Sequence, residues 1–214
     1  MNRIIYGLSL VMLMIVLAAC GLSGLQGFSD SQAPSVSVDD VPEEPPKEEI
    51  ENSIEATDAG DIETIISNNF HLLDVVSTDD GNANVYATNR FAVSELADLV
   101  SNTLEPEEKS ELKDNQQILI YPDHFATFKL SEENDETVLI EIASDQFVRN
   151  HYSPNYLNTF FGFMLLNSML DRNDWSDRRL GQCRNNNCYG GYTTTRSTQR
   201  GMSTVRGGGP SSGK

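Results

Sequence analysis

The chain has 214 residues and a formal net charge of -17, from 32 Asp and Glu against 15 Lys and Arg. That length admits one ordinary domain, and the acidic balance excludes nucleic acid as the main partner, because phosphate contacts need clustered bases. The charge is uneven: residues 28–63 hold twelve carboxylates against Lys47, residues 64–175 nineteen against six bases, and residues 176–214 seven bases against Asp177.

Residues 1–19 read as a signal peptide. Arg3 gives a positive start, and Ile4 to Leu17 form an apolar run too short for a comfortable membrane span. The run ends in Leu17-Ala18-Ala19-Cys20, which resembles the lipobox of bacterial lipoproteins. That resemblance implies acylation of the Cys20 thiol and a chain held by its lipid on the extracellular face of the cell membrane; each buried methylene contributes about 0.8 kcal/mol. Gly21 follows the cysteine, and the expected envelope is Gram-positive.

Residues 20–57 read as an acidic, lipid-anchored linker, since Pro, Ser, Gly and acids bury too little to offset ordering entropy. The globular domain is expected over 58–175. Asp58 or Asp61 caps a helix with Ile62, Ile65, Ile66 and Phe70 on one face. Leu72 to Ser77 and Val85 to Thr88 flank a hairpin turn at Thr78-Asp79-Asp80-Gly81-Asn82. Ser94 reads as the cap of a second helix that Pro106 follows. Strands are expected over 117–121, 124–130 and 137–143, the last placing Val138, Ile140 and Ile142 on one face. Ser153-Pro154 opens a third helix, continuous to about Leu170 and apolar nearly all round, which suits burial on the sheet. The expected fold is therefore α+β: an antiparallel sheet of four to five strands packed with three helices, between a disordered stalk and a disordered Gly/Ser/Thr/Arg-rich tail at 176–214.

Chemistry-bearing motifs are few. Cys183 and Cys188 suit a small-loop disulfide in an oxidising compartment, and their spacing departs from that of thioredoxin-like sites. Asp80, Asn82 and Asn84 begin like a calcium loop, but Val85 stands where glycine should turn it. Glu132, Glu133, Asp135 and Glu136 read as a solvated turn, and Gly208 to Lys214 carries phosphate-loop letters with no strand before or helix after. His71, His124 and His151 are dispersed; His151-Tyr152-Ser153-Pro154-Asn155-Tyr156 crowds polar and aromatic groups at a helix start, where an anion could dock or the residues simply cap. The sequence nominates no catalytic residue, no metal ligand set and no cofactor.

Ser153-Pro154-Asn155-Tyr156-Leu157 and Phe163-Met164-Leu165-Leu166, with the terminal Arg206-Gly207-Gly208-Gly209-Pro210-Ser211-Ser212-Gly213-Lys214, resemble a domain-of-unknown-function family of Gram-positive lipoproteins over about residues 60–214. The resemblance implies fold boundaries and no activity. The expected function is a non-enzymatic binding or scaffolding module at the cell envelope, meeting an envelope protein or anionic wall polymer. The alternative is an envelope redox protein using Cys183 and Cys188, or a small-ligand or cation binder using the acidic core.

Overall fold

Alternating apolar residues generate the sheet on which everything else rests. The computed structural model describes residues 41–58, 60–170, 174–183 and 188–193, all within the unit Ser35–Lys214. Strands β1 (His71–Thr78), β2 (Gly81–Thr88), β3 (Glu108–Lys109), β4 (Gln116–Ile120), β5 (His124–Leu130) and β6 (Val138–Ser144) pair antiparallel throughout. They form one open six-stranded sheet in the order β1-β2-β6-β5-β4-β3. The architecture is α+β. It has one strand more than the upper expected number, because β3 is two residues long and leaves no periodic signal.

Seven helices among the described residues replace the three expected: α1 (Lys47–Glu55), α2 (Ile62–Asn69), α3 (Val93–Thr103), α4 (Asp145–His151), α5 (Pro154–Asn158), α6 (Phe163–Met169) and α7 (Trp175–Gln182). Asp61 caps α2, its Oδ1 accepting from Thr64 N at 2.8 Å. That bond holds the Asp61 carboxyl below its ordinary value. The expected cap of α3 shifts: Ala92 occupies the position, Ser94 lies inside the helix, and the Glu95 carboxylate reaches back to Ala92 N at 3.3 Å.

The helix expected from Ser153 to Leu170 is broken. It becomes α5 and α6, separated at Thr159 to Gly162, where Gly162 takes an extended backbone. Thr159 and Asn158 are weak helix formers, and glycine adds backbone entropy, so propagation stops there. Leu157, Phe161, Leu166 and Leu170 are buried, whereas Met164 is 88% exposed. Among the described residues no helix is long and apolar enough to cross a membrane.

Both faces of the sheet are covered. On one, Tyr86, Leu119, Phe128, Val138, Ile140 and Ile142 pack against α1, α2 and α3. On the other, Ala83, Ile118, Ile120, Phe125 and Ala143 pack against Phe147, Leu157, Leu166 and Trp175. The folded part also starts earlier and ends later than expected. Helix α1 lies within the stretch read as linker and buries Ile50 and Ile54, while α7 after Trp175 lies within the stretch read as tail, and Tyr189 and Tyr192 of that stretch pack on the second face. Residues 1–40, with the stretch read as a signal peptide and Cys20, and residues 194–214, with the basic glycine-rich terminus, lie outside the described residues.

Candidate functional site

The second face carries a row of residues set by strand register: Asp74 on β1, Val85 on β2, Glu141 on β6, Thr127 on β5 and Ile118 on β4. Glu141 sits mid-row on a central strand and is only 3% exposed. A carboxylate there must collect hydrogen bonds to offset its lost hydration. Tyr152, following α4 and fully buried, donates its hydroxyl to Glu141 Oε1 at 2.9 Å, and Tyr192 N donates to Oε2 at 3.0 Å. The Tyr189 hydroxyl is buried beside the same carboxyl but completes no hydrogen bond of good geometry. Burial pushes the Glu141 carboxyl above its ordinary range; the neighbouring donors and Lys129 pull it back only in part. Burial raises the hydroxyls of Tyr152, Tyr156 and Tyr189 as well, and the Glu141 charge adds to the effect, so these tyrosines stay neutral donors.

A short C-terminal segment closes this row. Ser153 N donates to Tyr189 O at 2.7 Å and Tyr189 N to His151 O at 2.8 Å. Tyr192 Oη donates to Asp74 Oδ2 at 3.1 Å. Gly191 has φ +88°, and a Cβ there would come within 2.7 Å of Tyr156 Oη, so only glycine lets the segment pass over that ring. Cys183 and Cys188 form a disulfide at the root of the segment. Beside it, the Arg179 guanidinium donates to Tyr152 O through Nε and Nη2 at 3.3 and 3.2 Å. Its Nη2 also lies 3.1 Å from Cys188 Sγ. The Glu141 cluster is therefore sealed, and its chemistry is that of a structural pin.

An open feature lies between α4 and α7. A cavity of about 300 Å³ is walled by Arg149 and Asn150 of α4, Trp175, Arg178, Arg179 and Gln182 of α7, and Leu170. Arg149 Nε meets Asp145 at 2.5 Å, and Arg178 Nε meets Asp174 at 3.3 Å. Arg179 is 9% exposed and has no carboxylate partner among the described residues. Burial lowers its pKa.

The motifs singled out in the sequence do not converge. His71 is exposed, His124 lies 3.4 Å from Glu63, and His151 contacts Thr78 Oγ1 at 3.0 Å and Asp80 at 3.7 Å. Burial lowers the His151 pKa, with Asp80 opposing and Arg179 reinforcing. Asn82 and Asn84 bond each other at 2.9 Å, and Asn84 donates to Glu63, a strand arrangement in place of a calcium loop. Glu132 pairs with Lys129 at 3.0 Å in the β5–β6 turn. Among the described residues no group of three or more His, Cys, Asp or Glu is placed to hold a metal ion. The crowded helix start resolves differently from an anion dock: α5 has five residues, and Tyr152 and Tyr156 turn inward to the Glu141 cluster.

Glu141, Arg179 and Trp175 escaped sequence reasoning. The signal for Glu141 was a lone carboxylate in an otherwise apolar strand, Val138-Leu139-Ile140-Glu141-Ile142-Ala143. Reading Val138, Ile140 and Ile142 as the buried face puts Glu141 opposite, toward solvent, which holds only for a sheet covered on one side. No curated protein and no solved structure matches the chain. A family model does match over residues 53–214, three quarters of the sequence, and on that ground the chain belongs to the family described as Domain of unknown function (DUF4247).

Proposed function

We propose that this chain is an envelope lipoprotein, acylated at Cys20, whose folded unit is a non-enzymatic binding module on the extracellular face of the cell membrane. The address rests on the leader and on Leu17-Ala18-Ala19-Cys20. The observation that carries the binding role is the open arginine-walled cavity, set in a protein of net charge -17 beside a carboxyl cluster that is sealed. Growth with an alkyne-bearing fatty acid should label the wild-type chain in the membrane fraction and leave Cys20→Ser unlabelled. An unlabelled wild-type chain sinks the anchor. For the binding role, a photo-crosslinker placed at the exposed Asn150 should trap an envelope component, and the absence of any adduct above the unirradiated control counts against it.

One contact favours a second reading, an envelope redox protein. Arg179 Nη2 beside Cys188 Sγ would stabilise a thiolate there. The double variant Cys183→Ser, Cys188→Ser separates the two roles. A purely structural bridge closing a loop of five-residue separation contributes about 2 kcal/mol, so urea unfolding should shift by that amount. The oxidised wild-type pair should then resist exchange with glutathione in the native state. Ready exchange, with little change in stability, supports the redox reading instead.

A further inference from the structure

Resting on the binding reading above, we propose that the cavity between α4 and α7 is a site for a phosphate ester, with Arg149, Arg178 and Arg179 holding the phosphate over a floor formed by Trp175.

The argument begins with charge. Arg149 and Arg178 each have an aspartate, but Arg179, 9% exposed, has none among the described residues. A buried cation without a counter-charge is unfavourable, and an anion arriving through the open side of the cavity supplies one. Donor geometry adds to this. Arg149 commits Nε to Asp145 and Nη1 to Leu170 O, leaving Nη2. Arg178 meets Asp174 through Nε, leaving both Nη groups. Arg179 spends Nη1 on Gln182 Oε1 at 2.6 Å, one bond for a nitrogen with two hydrogens. The remaining donors come from two helices and belong to three cations. A tetrahedral phosphate accepts from several directions at once, whereas a planar carboxylate is filled by one guanidinium fork.

Size points to an ester over the bare ion. About 300 Å³ is at the lower end for small-molecule sites and exceeds what one phosphate fills. Trp175 and Leu170 form the floor of the cavity from within the core, 2% and 1% exposed, and the Trp175 indole N–H is already bound to Arg149 O at 3.0 Å, which fixes the ring. Two sources present this chemistry outside a membrane: a free glycerol phosphate unit and a phospholipid head group.

Trp175 is the chain's single tryptophan, so its emission reads the cavity directly. The test places the full acylated chain in phosphatidylcholine nanodiscs and titrates glycerol 3-phosphate, with glycerate at equal concentration as the carboxylate control. A parallel arm uses nanodiscs containing phosphatidylglycerol. A saturable change in emission is expected from at least one phosphate source, with affinity about tenfold weaker in Arg178→Gln. That side chain is about half exposed and, among the described residues, pairs only with Asp174, so the variant keeps its fold. A response to free glycerol 3-phosphate assigns a soluble ester, and a response confined to phosphatidylglycerol assigns a lipid head group. No saturable response to either, an equal response to glycerate, or unchanged affinity in Arg178→Gln overturns the site. The unacylated Cys20→Ser chain should respond identically to the free ester, which keeps a failed anchor distinct from a failed cavity.

Discussion

Glu141→Ala should destabilise the protein by about 3 kcal/mol, while Glu141→Gln should cost much less and should change how stability depends on pH. The alanine variant strands the Tyr152 hydroxyl and the Tyr192 N–H in a dry interior and leaves a void beneath them. Glutamine keeps an oxygen and the volume, and the Tyr152 hydroxyl can rotate to meet its amide. The pH effect follows from proton linkage. Burial raises the folded-state pKa of Glu141 above the ordinary 4.5, so between that value and the raised one the folded protein binds more protons than the unfolded chain. The stability contributed by the protonated carboxyl is therefore fully present below pH 4.5 and is lost as pH rises through the folded value.

Other groups move the opposite way. Asp61 and Glu95 are held low by hydrogen bonds, and their contributions are lost only as pH falls below the ordinary carboxyl range. His151, lowered mainly by burial, adds stability as pH rises toward 6.5. The quantity to measure is accordingly the difference between wild type and Glu141→Gln in urea midpoint, taken from about pH 5 to about pH 8. The wild type should lose ground to the variant as pH rises. A difference that stays flat over that window would mean that the folded-state pKa of Glu141 is not raised.

The sheet was legible because its signals are local: two-residue periodicity in β5 and β6, and turn residues between β1 and β2. What lay out of reach depended on tertiary packing. Glu141 looks solvent-facing by alternation alone, and it becomes buried only because α4, α5 and the Tyr189–Tyr192 segment cover the second face. Arg179 belongs to a run, Asp177-Arg178-Arg179, that reads as a solvated surface until the Tyr152 carbonyl is brought over it from another element. Helix α4 was missed for a different reason. It follows β6 without a break, Ser144 ending the strand and also capping the helix by accepting from Phe147 N at 3.3 Å. In the sequence, the apolar Phe147 and Val148 therefore carry too short a pattern to declare a helix.

A chain beginning at Asp58, the boundary that composition suggests, should be clearly less stable than one beginning at Val41. The acidic, proline-rich stretch looks like a solvated tether, yet its last part carries Ile50 and Ile54 one helical turn apart, and both are buried against α2 and α3. Lys47 of the same helix lies 5.3 Å from the centre of the Phe91 ring and pairs with Glu95, so α1 also covers the start of α3. Upstream, Glu44 accepts from Asn89 N at 2.7 Å, and its carbonyl accepts from Arg90 at 2.7 Å, which fixes the entry to the helix. Ile54→Ala alone should cost about 2–5 kcal/mol, the range for truncating a fully buried isoleucine. Removing the whole segment should cost at least as much, because it exposes the apolar surface of Phe91, Leu96 and Val100 that α1 helps to shield. Urea unfolding of the two fragments, with Ile54→Ala in the longer one, checks this. Coincident midpoints for the chains starting at 41 and 58 would make α1 an ornament on a domain that ends without it, and the tether would then be as long as its composition implies.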